Sequence, residues 1–184
     1  TFKAHTQSIS ALQVIKGTST AYTSSWDHSL KQWDMERQDV ISVYNSGSKI
    51  STSLDCNTIN GLVATSHSDG KIRLWDTRNG NANDSANGNA SQCQSINNST
   101  QNNGQGIPQW VSKLKWLNPS SSTSSKYSGT GTILASIDYG GILRVWDIRS
   151  TKVPLGENEC HDGKGLCGDW VNTEEHGTSV YTGG

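Results

Sequence analysis

The sequence predicts an all-β fold made of a series of small, similar sheets. Three observations carry that prediction. One construction, a tight turn followed by a short strand and a closing Trp-Asp, occurs three times. It reads Ser25-Trp26-Asp27-His28-Ser29-Leu30-Lys31-Gln32-Trp33-Asp34, then Ser68-Asp69-Gly70-Lys71-Ile72-Arg73-Leu74-Trp75-Asp76, then Asp138-Tyr139-Gly140-Gly141-Ile142-Leu143-Arg144-Val145-Trp146-Asp147. Trp33 and Trp75 stand 42 positions apart, inside the period of about 40–45 residues expected of a repeat of four strands. Apolar residues alternate over short runs, and no stretch follows the 3.6-residue period of a helix.

In the first unit, Thr1–Lys3 reads as the tail of a preceding strand and Ala4-His5 as the opening. Ile9–Val14 is a strand with one apolar face, Gly17-Thr18 a turn, Ala21–Ser25 a second strand and Asp27-His28 a tight turn. Leu30–Trp33 and Val40–Tyr44 complete the unit. Four short strands in about 40 residues make one blade of a β-propeller. The second unit places strands at Ile50–Cys56, Leu62–Ser66 and Lys71–Trp75. The next Trp-Asp comes 71 positions after Trp75, which leaves 29 residues to place. Residues 79–106 are rich in Asn, Ser and Gly and read as a solvated, mobile insertion, and Asn118–Gly131 enlarges the next hairpin. Trp110–Trp116, Ile133–Ile137 and Ile142–Trp146 are strands of the third unit, with a fourth beginning at Lys152–Leu155. The last unit opens at Cys160-His161 and has strands at Leu166–Val171 and Ser179–Tyr181. The blades therefore run over about 4–45, 47–103, 107–158 and 159–184. That is three full blades and half of a fourth, read as the C-terminal portion of a larger propeller.

Composition narrows the function. Fifteen basic and 16 acidic residues give a formal net charge of −1, which argues against binding nucleic acid through bulk charge. The four cysteines, Cys56, Cys93, Cys160 and Cys167, have no framework spacing and read as reduced and intracellular. No apolar run approaches the roughly 18 residues of a membrane span. The chain lacks an initial Met and opens inside a repeat, as a piece of a longer protein would.

The Trp-Asp ends, the Asp six residues before Trp33 and Trp75, and the His opening two units resemble the WD40 family. Finer wording narrows the resemblance. Ser24-Ser25-Trp26-Asp27-His28, Trp110-Val111-Ser112-Lys113-Leu114-Lys115-Trp116, Trp146-Asp147-Ile148-Arg149-Ser150-Thr151-Lys152-Val153-Pro154-Leu155 and Cys160-His161-Asp162-Gly163-Lys164 are similar to the WD-repeat subunits of the nucleolar PeBoW complex. That resemblance implies a non-catalytic scaffold assisting maturation of the large ribosomal subunit, located in the nucleus, nucleolus and nucleoplasm. It implies a Pescadillo-like partner, a second WD-repeat propeller partner (block of proliferation) and the pre-ribosomal particle. It implies no cofactor, metal, membrane or small-molecule substrate. Three features depart from the family pattern. His67 stands where Ser is expected, Asp138 lies eight residues before Trp146 with Gly140 at the expected place, and Gly165 and Gly168 fall at apolar core positions.

His5, Ser25, Asp27 and Trp33 contain the residue types of a hydrolase triad. No Gly-x-Ser-x-Gly elbow surrounds Ser25, and the resemblance implies a structural tetrad running Trp to Ser to His to Asp. Asp69, Trp75, Asp138, Trp146 and His161 take the matching turn and strand-end places. Cys160, His161, Cys167 and His176 have zinc-ligand chemistry without zinc-site spacing. Lys113, Lys115, Arg144, Arg149 and Lys152 suggest contact with rRNA phosphates, or solvated strand faces. Trp26 and Tyr139, at turn tips, are candidate protein anchors. Arg78 and Arg149 end Trp-Asp-x-Arg motifs that resemble those of WD40 substrate receptors of cullin-4 ubiquitin ligases, the alternative function.

Overall fold

A computed structural model describes residues 3–78, 92–98, 109–117, 131–173 and 177–184. Fourteen strands occur among them. The first sheet holds β1 (Ile9–Val14), β2 (Thr20–Ser25), β3 (Ser29–Asp34) and β4 (Asp39–Asn45). The second holds β5 (Ser51–Asn57), β6 (Leu62–His67), β7 (Lys71–Asp76) and β8 (Gln92–Asn97). The third holds β9 (Val111–Leu117), β10 (Ile133–Asp138), β11 (Ile142–Asp147) and β12 (Gly156–Glu159). β13 (Cys167–Thr173) pairs with β14 (Gly177–Gly183). Each four-stranded sheet is an antiparallel meander in chain order, as an arc of propeller blades requires.

The sheets pack face to face. Tyr22, Leu30 and Tyr44 of the first meet Leu54, Cys56, Val63 and Trp75 of the second in one core cluster. Ala64, Ile72, Leu74 and Ile96 of the second meet Val111, Leu114, Trp116, Leu134 and Trp146 of the third in another. The period-2 alternation of each strand sends successive side chains to opposite neighbours, so both faces of a middle blade are buried. Polar bonds fix the relative register. Thr52 Oγ1 donates to the Val111 carbonyl at 2.5 Å. Trp116 donates its backbone N–H to Asp55 Oδ2 at 2.8 Å and its indole N–H to the Asp55 carbonyl at 3.2 Å. Ser112 Oγ donates to the Gly165 carbonyl at 2.6 Å. Burial raises the Asp55 carboxyl, partly opposed by the Trp116 N–H. The inner strands β5 and β9 therefore run side by side in the same direction.

Two expectations need correction. The stretch 79–106 does not hold only a solvated insertion, because β8 lies inside it as the outermost strand of the second sheet. Its anchor is Ile96, fully buried in the core, one apolar residue among polar neighbours and thus invisible to an alternation test. The fourth strand of the third sheet is not Lys152–Leu155 but β12, Gly156–Glu159. Asp147 to Ser150 makes an isolated bridge, and Pro154 has no N–H for a ladder, so continuous pairing begins only beyond it. The 118–130 hairpin segment lies outside the described residues.

The turns after β2, β6 and β10 share one geometry. The turn's first residue donates its N–H to the residue preceding the inner strand: Trp26 to Ser8, Ser68 to Ile50, Tyr139 to Trp110. The left-handed position is Gly70 in the second sheet and Gly141 in the third, but His28, at φ 70°, in the first. A side chain there is strained. Gly168 faces Thr182 in the ladder as Leu54 faces Thr65 and Leu114 faces Ser136, so β13 lacks the leucine of its counterparts. At Gly165 a Cβ would lie 2.7 Å from the Asp138 carbonyl, so the backbone itself occupies that space.

Candidate functional site

Each four-stranded sheet carries a buried hydrogen-bond chain that starts at an indole. In the first, Trp33 Nε1 donates to Thr23 Oγ1 at 2.8 Å. Thr23 Oγ1 lies 2.7 Å from His5 Nε2, and His5 Nδ1 lies 2.9 Å from Asp27 Oδ2. The indole fills one acceptor site of the hydroxyl, so Thr23 donates to Nε2 and Nδ1 carries the proton that faces the carboxylate. The hydroxyl is thus Thr23, not Ser25. Thr23 is the nearest same-face diagonal neighbour of Trp33, which sits opposite Ala21. Ser25 is two residues farther, about 6.6 Å along the strand. Ser25 Oγ instead donates to the Ser8 carbonyl at 2.9 Å and accepts the Asp27 N–H at 3.1 Å. The serine, histidine and aspartate therefore form no nucleophile relay.

Burial by itself would raise the Asp27 carboxyl. Hydrogen bonds from Ser29, the Thr6 N–H and His5 outweigh it and hold the group well below the usual carboxylate range. Asp27→Ala removes all of these bonds. It is expected to cost about 1–3 kcal/mol, the range for buried groups left unpaired; an unchanged thermal melt would contradict the chain's structural role.

The second sheet closes its chain differently. Trp75 Nε1 donates to Thr65 Oγ1 at 2.8 Å, and Thr65 Oγ1 lies 2.9 Å from His67 Nε2. The imidazole comes from the same strand, two residues on. Desolvation, with the nearby Arg73 charge, pushes the His67 pKa down to about 3, so the ring is neutral. Asp69 does not hydrogen-bond it. It grips Arg73 with both oxygens, at 3.2 and 2.8 Å.

In the third sheet an amide replaces imidazole. Trp146 Nε1 donates to Ser136 Oγ at 3.0 Å, Ser136 Oγ donates to Asn98 Oδ1 at 2.6 Å, and Asn98 Nδ2 approaches Asp138 Oδ2 at 3.5 Å. Asp138 sits at the end of β10 rather than in the following turn, and it pairs with the buried Arg144 guanidinium. Arg144 Nε also reaches Glu157 Oε2 at 2.9 Å. In the last sheet, His161 Nε2 lies 2.9 Å from Thr182 Oγ1, matching the pairing of His5 with Thr23. Its proposed zinc companion His176 lies outside the described residues.

Sequence reading missed Thr23, Thr65, Ser136 and Asn98, missed Lys31 and Arg73, and read Arg144 as a phosphate contact rather than a buried partner of Asp138. The signals were present. A hydroxyl stands ten residues before each Trp, and a cation (Lys31, Arg73, Arg144) stands two before it. Lys31 Nζ donates to the Ala4 carbonyl at 2.7 Å and Arg73 holds the turn residue Asp69, whereas Arg144 pairs with Asp138 and Glu157 on the neighbouring strands.

Three of the five basic residues are engaged by acids. Arg144 is buried in its pairs, and Arg149 Nη2 and Nε lie on Asp147 at 2.5 and 2.9 Å. Lys115 Nζ lies 3.7 Å from Asp169. Arg78 makes the same clasp on Asp76, at 2.5 and 3.0 Å. These hydrogen bonds lower Asp76 and Asp147 below ordinary carboxylates. Both Trp-Asp-x-Arg arginines are thus engaged with their own aspartates. Trp26 and Tyr139, in contrast, hold the equivalent turn position of their sheets and are exposed.

Known proteins agree with this architecture. The family model described as "WD domain, G-beta repeat" matches residues 1–34 and 39–76. Proteins named "Ribosome biogenesis protein WDR12 homolog" are 30% identical in Anopheles gambiae over 94% of this chain and 32% identical in Oryza sativa subsp. japonica over all of it. The chain spans about a third of the length of these relatives, 34% and 35% respectively. Among solved structures, the computationally designed proteins Ika4 and Ika8 superpose with TM-scores of 0.62 and 0.61 at 17% identity. The match to Ika4 covers 100% of this chain and 96% of that one, and the match to Ika8 covers 97% and 46%. These proteins share its fold. Residues 1–34 and 39–76 thus carry WD40 repeats, and an indole-led hydrogen-bond chain recurs in each of the three four-stranded sheets, as an arc of propeller blades requires.

Proposed function

We propose that this chain is a non-catalytic docking scaffold in ribosome biogenesis, acting in maturation of the large subunit and its rRNA in the nucleus and nucleolus. The observation that carries the reading is about 30% identity, over 94% of the chain, to relatives named as ribosome biogenesis proteins. The geometry supports a binding role. His5 bonds Thr23 and His67 bonds Thr65 inside the sheets, and Ser25 donates to the Ser8 carbonyl, so these groups serve the sheet framework. Rigid sheets also hold several loops in fixed positions, which limits the ordering entropy lost on binding. The partners fitting this role are a Pescadillo-like protein, a second WD-repeat propeller and the pre-ribosomal particle.

Affinity purification of the full-length protein at high salt tests the reading. Co-recovery of large-subunit precursors with a Pescadillo-like protein is expected. Recovery of mature ribosomes alone, or of no ribosomal particle, would overturn it.

A further inference from the structure

The two interfaces between four-stranded sheets use equivalent positions but are not equally filled. Register identifies the equivalents. Cys56 faces Val63 and Val63 faces Trp75, as Trp116 faces Leu134 and Leu134 faces Trp146. Thr20 faces Asp34 as Leu62 faces Asp76. Thr77 donates its N–H to the Gly61 carbonyl as Ile148 does to that of Thr132. Between the second and third sheets, Trp116 is buried in the core, with Leu62 and Ile148 packed against it. Between the first and second sheets the same three places hold Cys56, Thr20 and Thr77, each smaller than its counterpart. Tyr22, in the place of Ala64, is larger and makes up only part of the loss.

What remains is an open groove of about 390 Å³, at the end of the sheets that carries the β1–β2 and β5–β6 hairpins. Clefts that hold ligands have roughly this size, about 300–1,000 Å³. Ile15, Cys56, Leu62 and Val63 give the groove apolar walls, and Tyr22 and Gln32 add polar tips. Gln32 Oε1 accepts from Tyr44 Oη at 3.3 Å. Ile59, 57% exposed in the β5–β6 hairpin, adds apolar surface at the same end.

Lys16 is the single charged side chain in the lining, and it is exposed and forms no ion pair among the described residues. The strand-end acids Asp34 and Asp76 are held by Arg37 and Arg78. Glu36 and Asp39, where β3 turns into β4, do not line the groove. An apolar cleft below one ammonium group fits an apolar side chain with a carboxylate beside it. A polyanion would find one cation and little else.

We propose that this groove docks a short segment of a protein partner carrying a large aromatic or branched aliphatic residue next to Asp or Glu. The apolar side chain enters between the first and second sheets, in the space that Trp116 and Ile148 close at the next interface, and the carboxylate rests on Lys16. The buried anchor supplies affinity and the rim charge supplies selectivity. The inference goes beyond the assembly role and does not depend on it, since it concerns direct binding by the purified protein.

Selection from a phage-displayed random peptide library on the immobilised full-length protein tests it, followed by fluorescence anisotropy with a labelled peptide of the enriched sequence. Enriched sequences are expected to place a large aromatic or branched aliphatic residue beside Asp or Glu. Thr77→Ile installs the side chain of Ile148 at the equivalent place and fills the groove. It is expected to weaken binding about tenfold or more, with an unchanged thermal melt. Lys16→Glu, on exposed surface, leaves the groove's walls in place. It should weaken the same peptide, and replacing the peptide's acid by Lys should restore binding to that variant. No enrichment, enriched sequences without the acid, or indifference to Lys16→Glu would overturn the proposal. So would indifference to Thr77→Ile in a variant that melts normally.

Discussion

Asp138→Ala is expected to destabilise the protein by about 3–5 kcal/mol, the range for removing one partner of a buried ion pair. Asp138 and Arg144 are each 1% exposed. Without the carboxylate, Arg144 retains only Glu157, a half-exposed partner. The loss extends further, because Asp138 Oδ1 also accepts the N–H groups of Gly140 and Ile142 at 2.9 and 3.1 Å. Those bonds shape the turn that carries Tyr139. Urea unfolding of the full-length protein reads the effect. A double-mutant cycle with Arg144→Met separates the pair from the turn: strong coupling is expected, and additive losses would show that the carboxylate acts only on the backbone.

Acid is expected to unfold the protein in two stages. His67 has a pKa of about 3 in the folded chain against about 6.5 in an unfolded one. Between those values the unfolded chain binds a proton that the native chain refuses, so stability falls as pH falls. The loss reaches roughly 2.5 kcal/mol at pH 4.5 and roughly 4 kcal/mol at pH 3.5, at about 1.36 kcal/mol per pH unit of differential binding. Asp27 adds a second stage. Its carboxyl is depressed when folded, so its contribution is present above the unfolded value near 3.9 and is lost below it. Urea midpoints from pH 7.5 to 4.5 isolate the first stage. His67→Asn, which installs the side chain that Asn98 already uses in the third sheet, should flatten that slope. A slope identical to that of the unsubstituted protein would show that His67 is not the group responsible.

Repeats were readable because Trp-Asp, turn glycines and apolar alternation are local, and twelve of the strands lie within a residue or two of where alternation puts them. Contacts between segments were harder to read. Ser25 and Thr23 are equally good hydroxyls in sequence, and only the antiparallel pairing of Ala21 with Trp33 chooses between them. Asn98 lies in an Asn-rich stretch, and nothing local distinguishes it from its neighbours. Its role comes from Ser136 and Asp138, 38 and 40 positions away. Arg144 and Arg149 look alike as surface cations, yet one is sealed between two acids and the other lies over a strand end. Tyr139 was readable as a turn-tip aromatic; Trp110, placed just before a strand, looked like part of it.

The chain from Trp146 runs through Asn98, a residue contributed by the tail of the preceding sheet. His5 precedes β1 and His161 precedes β13 in the same manner. A visible sheet is therefore not the self-sufficient building block. For the first, third and last sheets the module is staggered against it, beginning in the connecting segment upstream of the inner strand. A graft or truncation cut at residues 99–108 would keep every strand of the third sheet while stranding Ser136 and Asp138, whereas a cut ahead of β8 would carry the needed amide along. Recombination among such genes should favour the second boundary.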